Sequence, residues 1–125
     1  MRPSDGDVVV VAEMVFPNQT NHYGTLFGGE ALKLMDKVAF IAASRAARAS
    51  VVTASLDHTD FRHPVRQGDL AEVEGQVVAR GRSSLVVETR LYSENLLTGA
   101  RQLCSVGRFN MVAVDDAGRP IPLPG

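Results

Sequence analysis

One carboxylate and a run of glycines lie close together near the start of the chain, in TNHYGTLFGGEALKLMD (residues 20–36). The glycines come directly before a run of helix-forming residues, and Asp36 falls about two turns into that run. A helix N-terminus carries unpaired N–H groups and a partial positive charge, and Gly28 and Gly29 have no side chain to keep a ligand away. They could hold a carbonyl oxygen or an oxyanion, or they could serve only to turn the chain into the helix.

Asp36 shares a helix face with Leu32, Ala39 and Phe40, because residues three and four apart lie on one side of a helix. A carboxylate among apolar groups needs a compensating partner. One interpretation is structural: Lys33 pairs with the carboxylate, or the carboxylate is simply solvated. The other is catalytic, with Asp36 as a general base or a nucleophile.

The spacing of Gly28 and Asp36 favours a site shared between two copies of the chain. Eight residues along a helix correspond to about 12 Å, which a carboxylate side chain does not span. The acid and the oxyanion donors can meet only if a second copy of the helix runs antiparallel beside the first. A two-fold dimer would then hold two equal sites, each with Gly28 from one subunit and Asp36 from the other.

One long helix and several strands are predicted to position these residues. The β-branched run 8–16 predicts a strand ended by Pro17, and residues 18–27 predict a loop. Residues 29–49 contain no proline and are apolar almost all round in their second half, which predicts a buried helix of about 30 Å. Further strands are predicted at 51–61, 71–79, 85–91 and 101–114. We therefore expect one α+β domain over residues 1–125, a curved antiparallel sheet wrapped around one long central helix.

The composition argues against several classes of function. With 13 Lys and Arg against 14 Asp and Glu, the formal net charge of −1 indicates no basic surface for nucleic acid or an anionic membrane. No apolar run approaches the ~18 residues of a membrane span, and the first residues lack a signal-peptide core. The lone cysteine, Cys104, fits a reducing compartment and is expected to be a packed residue rather than a nucleophile. We expect a cytoplasmic protein.

Several chemical signatures are missing. The three histidines, His22, His58 and His63, do not have the spacing of a zinc site, so we expect no metal. The segment GTLFGGEALK lacks the Gly-Lys-Ser/Thr ending of a phosphate-binding loop, and there is no Gly-x-Ser-x-Gly nucleophile elbow. A nucleoside triphosphatase and a Ser-His-Asp hydrolase are therefore not expected.

The segment PNQTNHYGTLFGGEALKLMD resembles the signature of hotdog-fold acyl-CoA thioesterases, in the branch of bacterial YciA-like and mammalian cytosolic acyl-CoA hydrolases. The resemblance continues through VVTASLDHTDFRHPVRQGD, VVARGRSSLVVE and MVAVDDAGRPIPLP, and covers about residues 14–124. It implies hydrolysis of acyl-CoA to a carboxylic acid and CoA, with no cofactor, since CoA is part of the substrate and product. It also implies the hotdog fold, a homodimer with a continuous sheet and, often, a trimer of dimers.

By this resemblance, Asn21 and Asp36 are the catalytic pair, contributed by different subunits. Asp36 would activate water or attack the thioester carbonyl itself, and Asn21 would orient the water or the carbonyl. The N–H of Gly28, with that of Gly29, would hold the developing oxyanion. Phe40 or Phe109 could set the depth of the acyl pocket.

A second group of residues resembles the turn that contacts CoA in this family. The group consists of Arg80, Gly81, Arg82, Ser83 and Ser84. Cations, hydroxyls and backbone donors at a reversal suit a phosphate, although an ordinary glycine turn with solvated arginines has the same composition. Phe61 and residues 63–65 would flank the pantetheine, or simply pack.

Two other functions fit parts of this pattern. A non-catalytic acyl-CoA-binding module of the same fold would keep the CoA turn but would not need Asp36 or Asn21. A dehydratase acting on acyl thioesters would need a catalytic histidine, for which His22 is the candidate.

Overall fold

One long helix, α1 (Gly28–Ala47), packs against an antiparallel sheet in the computed structural model, which describes residues 6–124. The strands are β1 (Val9–Met14), β2 (Val51–Leu56), β3 (Asp60–Phe61), β4 (Leu70–Arg80), β5 (Ser84–Glu94) and β6 (Arg101–Ala113). Their order in the sheet is β1-β4-β5-β6-β2, and β3 pairs with β6 beyond the end of β2. The α+β prediction is confirmed, while the ends of the predicted domain, residues 1–5 and 125, lie outside the described residues.

The helix and most strands begin and end close to the positions predicted from the sequence. Helix α1 ends two residues before the predicted end because Arg48 adopts a left-handed conformation, with φ 52°, and its N–H bonds the Ser44 carbonyl at 2.8 Å. A short 3-10 helix, Pro17–Gln19, occupies part of the predicted loop. The prediction of one strand over 51–61 was wrong. A bulge follows Thr53, and residues 57–59 leave the ladder to separate β2 from β3.

The face of α1 that meets the sheet is built from small side chains. Ala39, Ala43 and Ala47 are fully buried, as are the larger Met35 and Val38. Small residues let a helix lie close to the strands beneath it. On β4 the approach is close at Gly75, where an added Cβ would lie 2.6 Å from a methyl carbon of Val38.

The outer face of the sheet carries a network of ion pairs. Glu72 pairs with Arg101, and the guanidinium of Arg90 lies 3.3 Å from Glu74 and 3.0 Å from Glu88. Burial lowers the pKa of Arg90, but the hydrogen bonds and charges of Glu74 and Glu88 outweigh it and raise that pKa above its usual value. The glutamates of β4 are therefore paired across the strands.

Helix α1 is the only long helix in the described range, and it does not have the apolar character of a membrane span. Its polar and charged residues lie on the side away from the sheet. That open side carries the catalytic candidate Asp36.

Candidate active site

Asn21 lies in a short loop that doubles back just before α1. Its backbone N–H donates to the Thr25 carbonyl at 2.9 Å, and Thr20 and Leu26 form a β-bridge around it. The side-chain Oδ1 accepts from the N–H of Tyr23 at 3.0 Å, the N–H of Thr25 at 3.2 Å and the Thr25 hydroxyl at 3.1 Å. These donors fix the orientation of the amide. Among the described residues its Nδ2 group has no acceptor, so Asn21 is available as a donor.

Gly28 is the first residue of α1, and the loop of Asn21 leads directly into it. Its N–H and that of Gly29 precede the first helical hydrogen bond, from the Ala31 N–H to the Phe27 carbonyl at 3.0 Å. Neither N–H has an acceptor among the described residues. Asn21 and the helix N-terminus therefore each present an unpaired donor within the segment of residues 21–29.

A cleft of about 360 Å³ opens beside Gly28. Its apolar wall includes Ala31, Phe61, Val65 and Leu91. The ring of Phe61 lies 3.7 Å from the position that a Cβ on Gly28 would occupy, so this ring covers the first turn of the helix. Phe61 and residues 63–65, which the resemblance associates with pantetheine, line this cleft. The cleft is large enough for a small-molecule group of mostly apolar character.

Asp36 is half-buried on the open side of α1. Its Oδ1 accepts a hydrogen bond of 2.6 Å from the hydroxyl of Thr53 on β2. No ion pair joins the carboxylate to Lys33 in the part of the chain that the structure describes, so Thr53 replaces the partner considered in the sequence analysis. The hydroxyl fixes one carboxylate oxygen and leaves the other available to a ligand.

Thr53 is the residue of the candidate site that the sequence did not predict. It lies on the strand that follows α1, far along the chain from Asp36, in a stretch of ordinary β-forming composition. Nothing local distinguishes it, because its contact with Asp36 exists only once β2 packs beside the helix. The available signal was the motif VVTASLDHTDF, which contains Thr53 and forms part of the family resemblance.

A second hollow, of about 330 Å³, lies beside Asp36. Its lining consists of Asp36, Lys37, Phe40 and Ile41, none of which lines the cleft beside Gly28. The acid and the helix N-terminus thus face different hollows, in agreement with their separation of about 12 Å along α1.

An exposed apolar residue of α1, Phe40, lies beside Asp36, and strand β2 carries another exposed apolar residue, Val52. Phe40 on α1 is 49% exposed, and Val52 on β2 is 47% exposed. Strand β2 is also an edge of the sheet, paired only with β6. Exposed apolar groups beside an unpaired strand edge are typical of an interface. Phe109, the other candidate for the acyl pocket, is instead buried in the core.

The turn between β4 and β5 contains the predicted CoA-binding residues. The Gly81 N–H donates to the Ser84 carbonyl at 2.8 Å, and the carbonyls of Arg82 and Ser83 each accept a backbone hydrogen bond of 2.8 Å. The backbone N–H groups of Arg82 and Ser83 have no acceptor among the described residues, and the Arg82 side chain is exposed. Adjacent free N–H groups beside a cation are suited to an anion.

Arg80 connects this turn to the far end of α1. Its Nη2 donates to the carbonyl of Ala46 at 3.1 Å, one residue before the helix ends. Because α1 has 20 residues, its two ends are about 30 Å apart. Within one chain, the loop of Asn21 joins α1 at Gly28 without lining the cleft beside it, and both Asp36 and the CoA turn are separated from Gly28 along the helix.

A family model described as the thioesterase superfamily matches residues 23–100, more than half of the chain. The chain belongs to the thioesterase superfamily. The uncharacterized acyl-CoA thioester hydrolase YkhA of Bacillus subtilis is 40% identical over 93% of this chain and 67% of its own length. The sequence-based recognition of the family is confirmed.

Solved structures of thioesterases share the fold. An apo-hexameric acyl-CoA thioesterase matches with a TM-score of 0.93 and 42% identity, over 98% of this chain and 79% of its own. The Staphylococcus aureus acyl-CoA hydrolase in complex with butyryl-CoA, CoA and CoA disulfide matches with a TM-score of 0.87 and 35% identity, over 94% and 72%. Variants of that hydrolase have alanine in place of asparagine at position 28, aspartate at position 43 and threonine at position 60. The chain therefore has the hotdog fold, as predicted.

Proposed function

We propose that this chain hydrolyses acyl-CoA to a carboxylic acid and free CoA, at sites shared between two copies of the chain. The observation that carries the proposal is the arrangement on α1: unpaired donors at its N-terminus, and an acid held by Thr53 on an uncovered face about 12 Å further along. Each copy supplies the donors of one site and the acid of the other. The proposal includes no metal or cofactor, because the chemistry needs only water.

Each half of the site has a distinct role. The thioester carbonyl accepts hydrogen bonds from the N–H of Gly28, with that of Gly29, which stabilise the negative charge that develops on its oxygen. Asn21 donates from Nδ2 to the same carbonyl and orients it. Its Oδ1 already accepts three hydrogen bonds, which argues against a role in accepting a proton from water.

Asp36 of the partner subunit supplies the reacting group. It either takes a proton from water as the water oxygen bonds to the carbonyl carbon, or attacks that carbon itself to form an anhydride that water then opens. In both routes the C–S bond breaks and the CoA thiolate leaves and takes up a proton. The Thr53 hydroxyl holds Oδ1 of the carboxylate, so Oδ2 performs either step.

The spacing of the three residues supports their joint role. The positions replaced in the Staphylococcus aureus hydrolase are an asparagine at 28, an aspartate at 43 and a threonine at 60. Asn21, Asp36 and Thr53 have the same residue types in the same order, and one constant offset in numbering relates all three to those positions. The intervals between the three residues are therefore identical in the two chains.

The route of CoA follows from the direction of the paired helices. From Asp36 to the end of α1 at Ala47 is 11 residues, or about 16 Å. In an antiparallel pair, the turn at that end projects by this distance past the partner's Gly28. An extended CoA leaving the thioester in that direction reaches Arg82, Ser83 and Ser84 of the subunit that supplies Asp36, where free N–H groups and a cation suit its phosphates.

The assembly is therefore at least a homodimer. The exposed Phe40 beside Asp36 on α1 and the open edge of β2 are suited to that interface. A trimer of such dimers is supported by the hexameric thioesterase of the same fold. We also propose a cytoplasmic location, in line with similar proteins such as the human cytosolic acyl coenzyme A thioester hydrolase, 28% identical over 89% of this chain.

The direct test of the function is release of free thiol from a panel of acyl-CoA esters with different chain lengths. We expect release of one thiol per ester cleaved, with a preference among chain lengths set by the clefts beside Gly28 and Phe40. Binding of the same esters without thiol release would contradict hydrolysis and favour the non-catalytic acyl-CoA-binding module.

Thr53→Val is expected to lower kcat by about 10- to 100-fold while KM changes little. Valine keeps the shape of threonine but removes the hydroxyl that holds the reacting carboxylate, and a hydrogen bond to a charged group contributes about 1.5–3 kcal/mol. Thr53→Ser retains the hydroxyl and should restore most of the rate. Steady-state kinetics of the two variants check this, and an unchanged kcat for Thr53→Val, or a larger loss in Thr53→Ser than in Thr53→Val, would show that the hydroxyl does not hold the reacting carboxylate.

A further inference from the structure

The CoA turn, residues 80–84, is tied to the C-terminal end of α1 through Arg80. The last carbonyls of a helix have no partner within it and carry partial negative charge, so they attract a cation. The guanidinium of Arg80 donates to one of these, the carbonyl of Ala46, at 3.1 Å. Because Ala46 is only 1% exposed, this contact connects the base of the turn to a fixed part of the core.

The C-terminal hook, residues 114–123, ties the same turn from its other side. The hook is folded by Asp115, whose Oδ1 accepts the N–H groups of Ala117 and Arg119, both at 2.9 Å. The chain then runs back along the end of β6, and the N–H of Leu123 donates to the carbonyl of Arg82 at 2.8 Å. The Leu123 side chain packs against the core, which anchors the hook.

Both connections leave the anion-binding groups of the turn available. The hook uses the carbonyl of Arg82, and β6 uses the carbonyl of Ser83 through the Ala113 N–H at 2.8 Å. The backbone N–H groups of Arg82 and Ser83 and the exposed Arg82 side chain take no part in these contacts. Because the turn is held through its carbonyl groups, its N–H groups remain free to bind an anion together.

We propose that Arg80 and the C-terminal hook are positioning elements for the nucleotide part of CoA, an inference that rests on the proposed function. They hold the turn in its binding conformation before CoA arrives. Binding therefore does not include the entropic cost of ordering a loop. Arg80, which the sequence analysis grouped with the CoA contacts, acts through the turn rather than on the phosphates. Arg82 is the contacting cation.

The test compares one acyl group on two thiols, CoA and pantetheine, because pantetheine lacks the nucleotide and its phosphates. Arg80→Met keeps the side-chain stem and removes the guanidinium, and is expected to raise KM for acyl-CoA about ten-fold. We expect kcat to stay within two-fold and KM for the acyl-pantetheine to be unchanged.

Arg80→Lys should recover part of the loss, since lysine is also a donor. Arg45→Met, which removes a cation from the exposed surface of the same helix turn, is the charge control and should leave KM near that of the unmodified protein.

Leu123→Pro tests the hook without touching a charge. Proline removes the N–H that donates to the Arg82 carbonyl. Leu123→Met, which keeps this N–H and nearly the same volume, is the matched control. The proline variant should show the same selective rise in KM for acyl-CoA, and the methionine variant should not.

A double variant separates positioning from direct contact. If Arg80 acts through the turn, Arg80→Met should raise KM by about two-fold or less in a protein that already carries Arg82→Ala, because the main contact is gone. Multiplied effects of the two changes would overturn the inference and make Arg80 a phosphate contact. The inference would also be overturned if KM rose equally for acyl-CoA and acyl-pantetheine. It would likewise be overturned if KM for acyl-CoA did not rise in Arg80→Met and did not rise in Leu123→Pro. Failure of the unmodified protein to cleave either ester would instead refute the proposed function.

Discussion

Asp36→Ala is expected to lower kcat for acyl-CoA hydrolysis by about 10²–10⁴-fold, because loss of a general base or a nucleophile removes the chemical step. KM and the affinity for CoA should change little, since the turn of Arg82 to Ser84 and the donors at Gly28 remain. Thiol release under saturating acyl-CoA measures the first quantity, and calorimetry with CoA measures the second.

Two further variants make this result specific. Asp36→Asn keeps the size of the side chain and an oxygen for the Thr53 hydroxyl but does not accept a proton at neutral pH, so it should be as inactive as the alanine variant. Glu13→Gln makes the same change of charge at an exposed position on β1 and should retain the full rate. An unchanged rate for Asp36→Asn would remove the carboxylate from the mechanism.

The distance between the oxyanion donors and the acid could be predicted from the sequence because an α-helix has a fixed rise per residue. Gly28 and Asp36 are eight residues apart, and that number alone argued against a site within one chain. The strands at 71–79 and 85–91 were likewise predictable, since buried and less buried side chains alternate strictly over residues 71–77 and 85–91.

Contacts between distant segments were not readable in the same way. The hydrogen bond from Thr53 to Asp36 depends on how β2 lies beside α1, and neither residue type indicates it. The role of Arg80 depends on the end of the helix meeting the turn after β4. The bulge within β2 and the break at residues 57–59 were also not predicted, because the alternation of the sequence alone suggested a continuous strand.

Mixing two inactive variants should restore activity if the site is shared. In a dimer of one Asp36→Ala subunit and one Asn21→Ala subunit, one site receives both intact residues and the other receives neither. Such a dimer has half of the normal activity, and random exchange makes half of all dimers mixed, so recovery should approach about a quarter of the unmodified rate. Thiol release before and after subunit exchange measures it, with mixed dimers verified by mass spectrometry using a tag on one subunit.

The reciprocal mixture distinguishes a shared site from two separate ones even more directly. A subunit carrying both Asn21→Ala and Asp36→Ala spoils both sites of any dimer that it forms with an unmodified subunit, because each shared site takes one residue from each chain. At equal amounts, only unmodified dimers remain active, and the rate should fall to about a quarter of that expected for an all-unmodified sample. If each chain instead carried its own complete site, half of the rate would remain and the first mixture would show no recovery. Antiparallel pairing of α1 therefore predicts a gain of activity in the first mixture and a loss to about a quarter in the second. An inactive first mixture together with a half-active second mixture would contradict this pairing as the basis of catalysis.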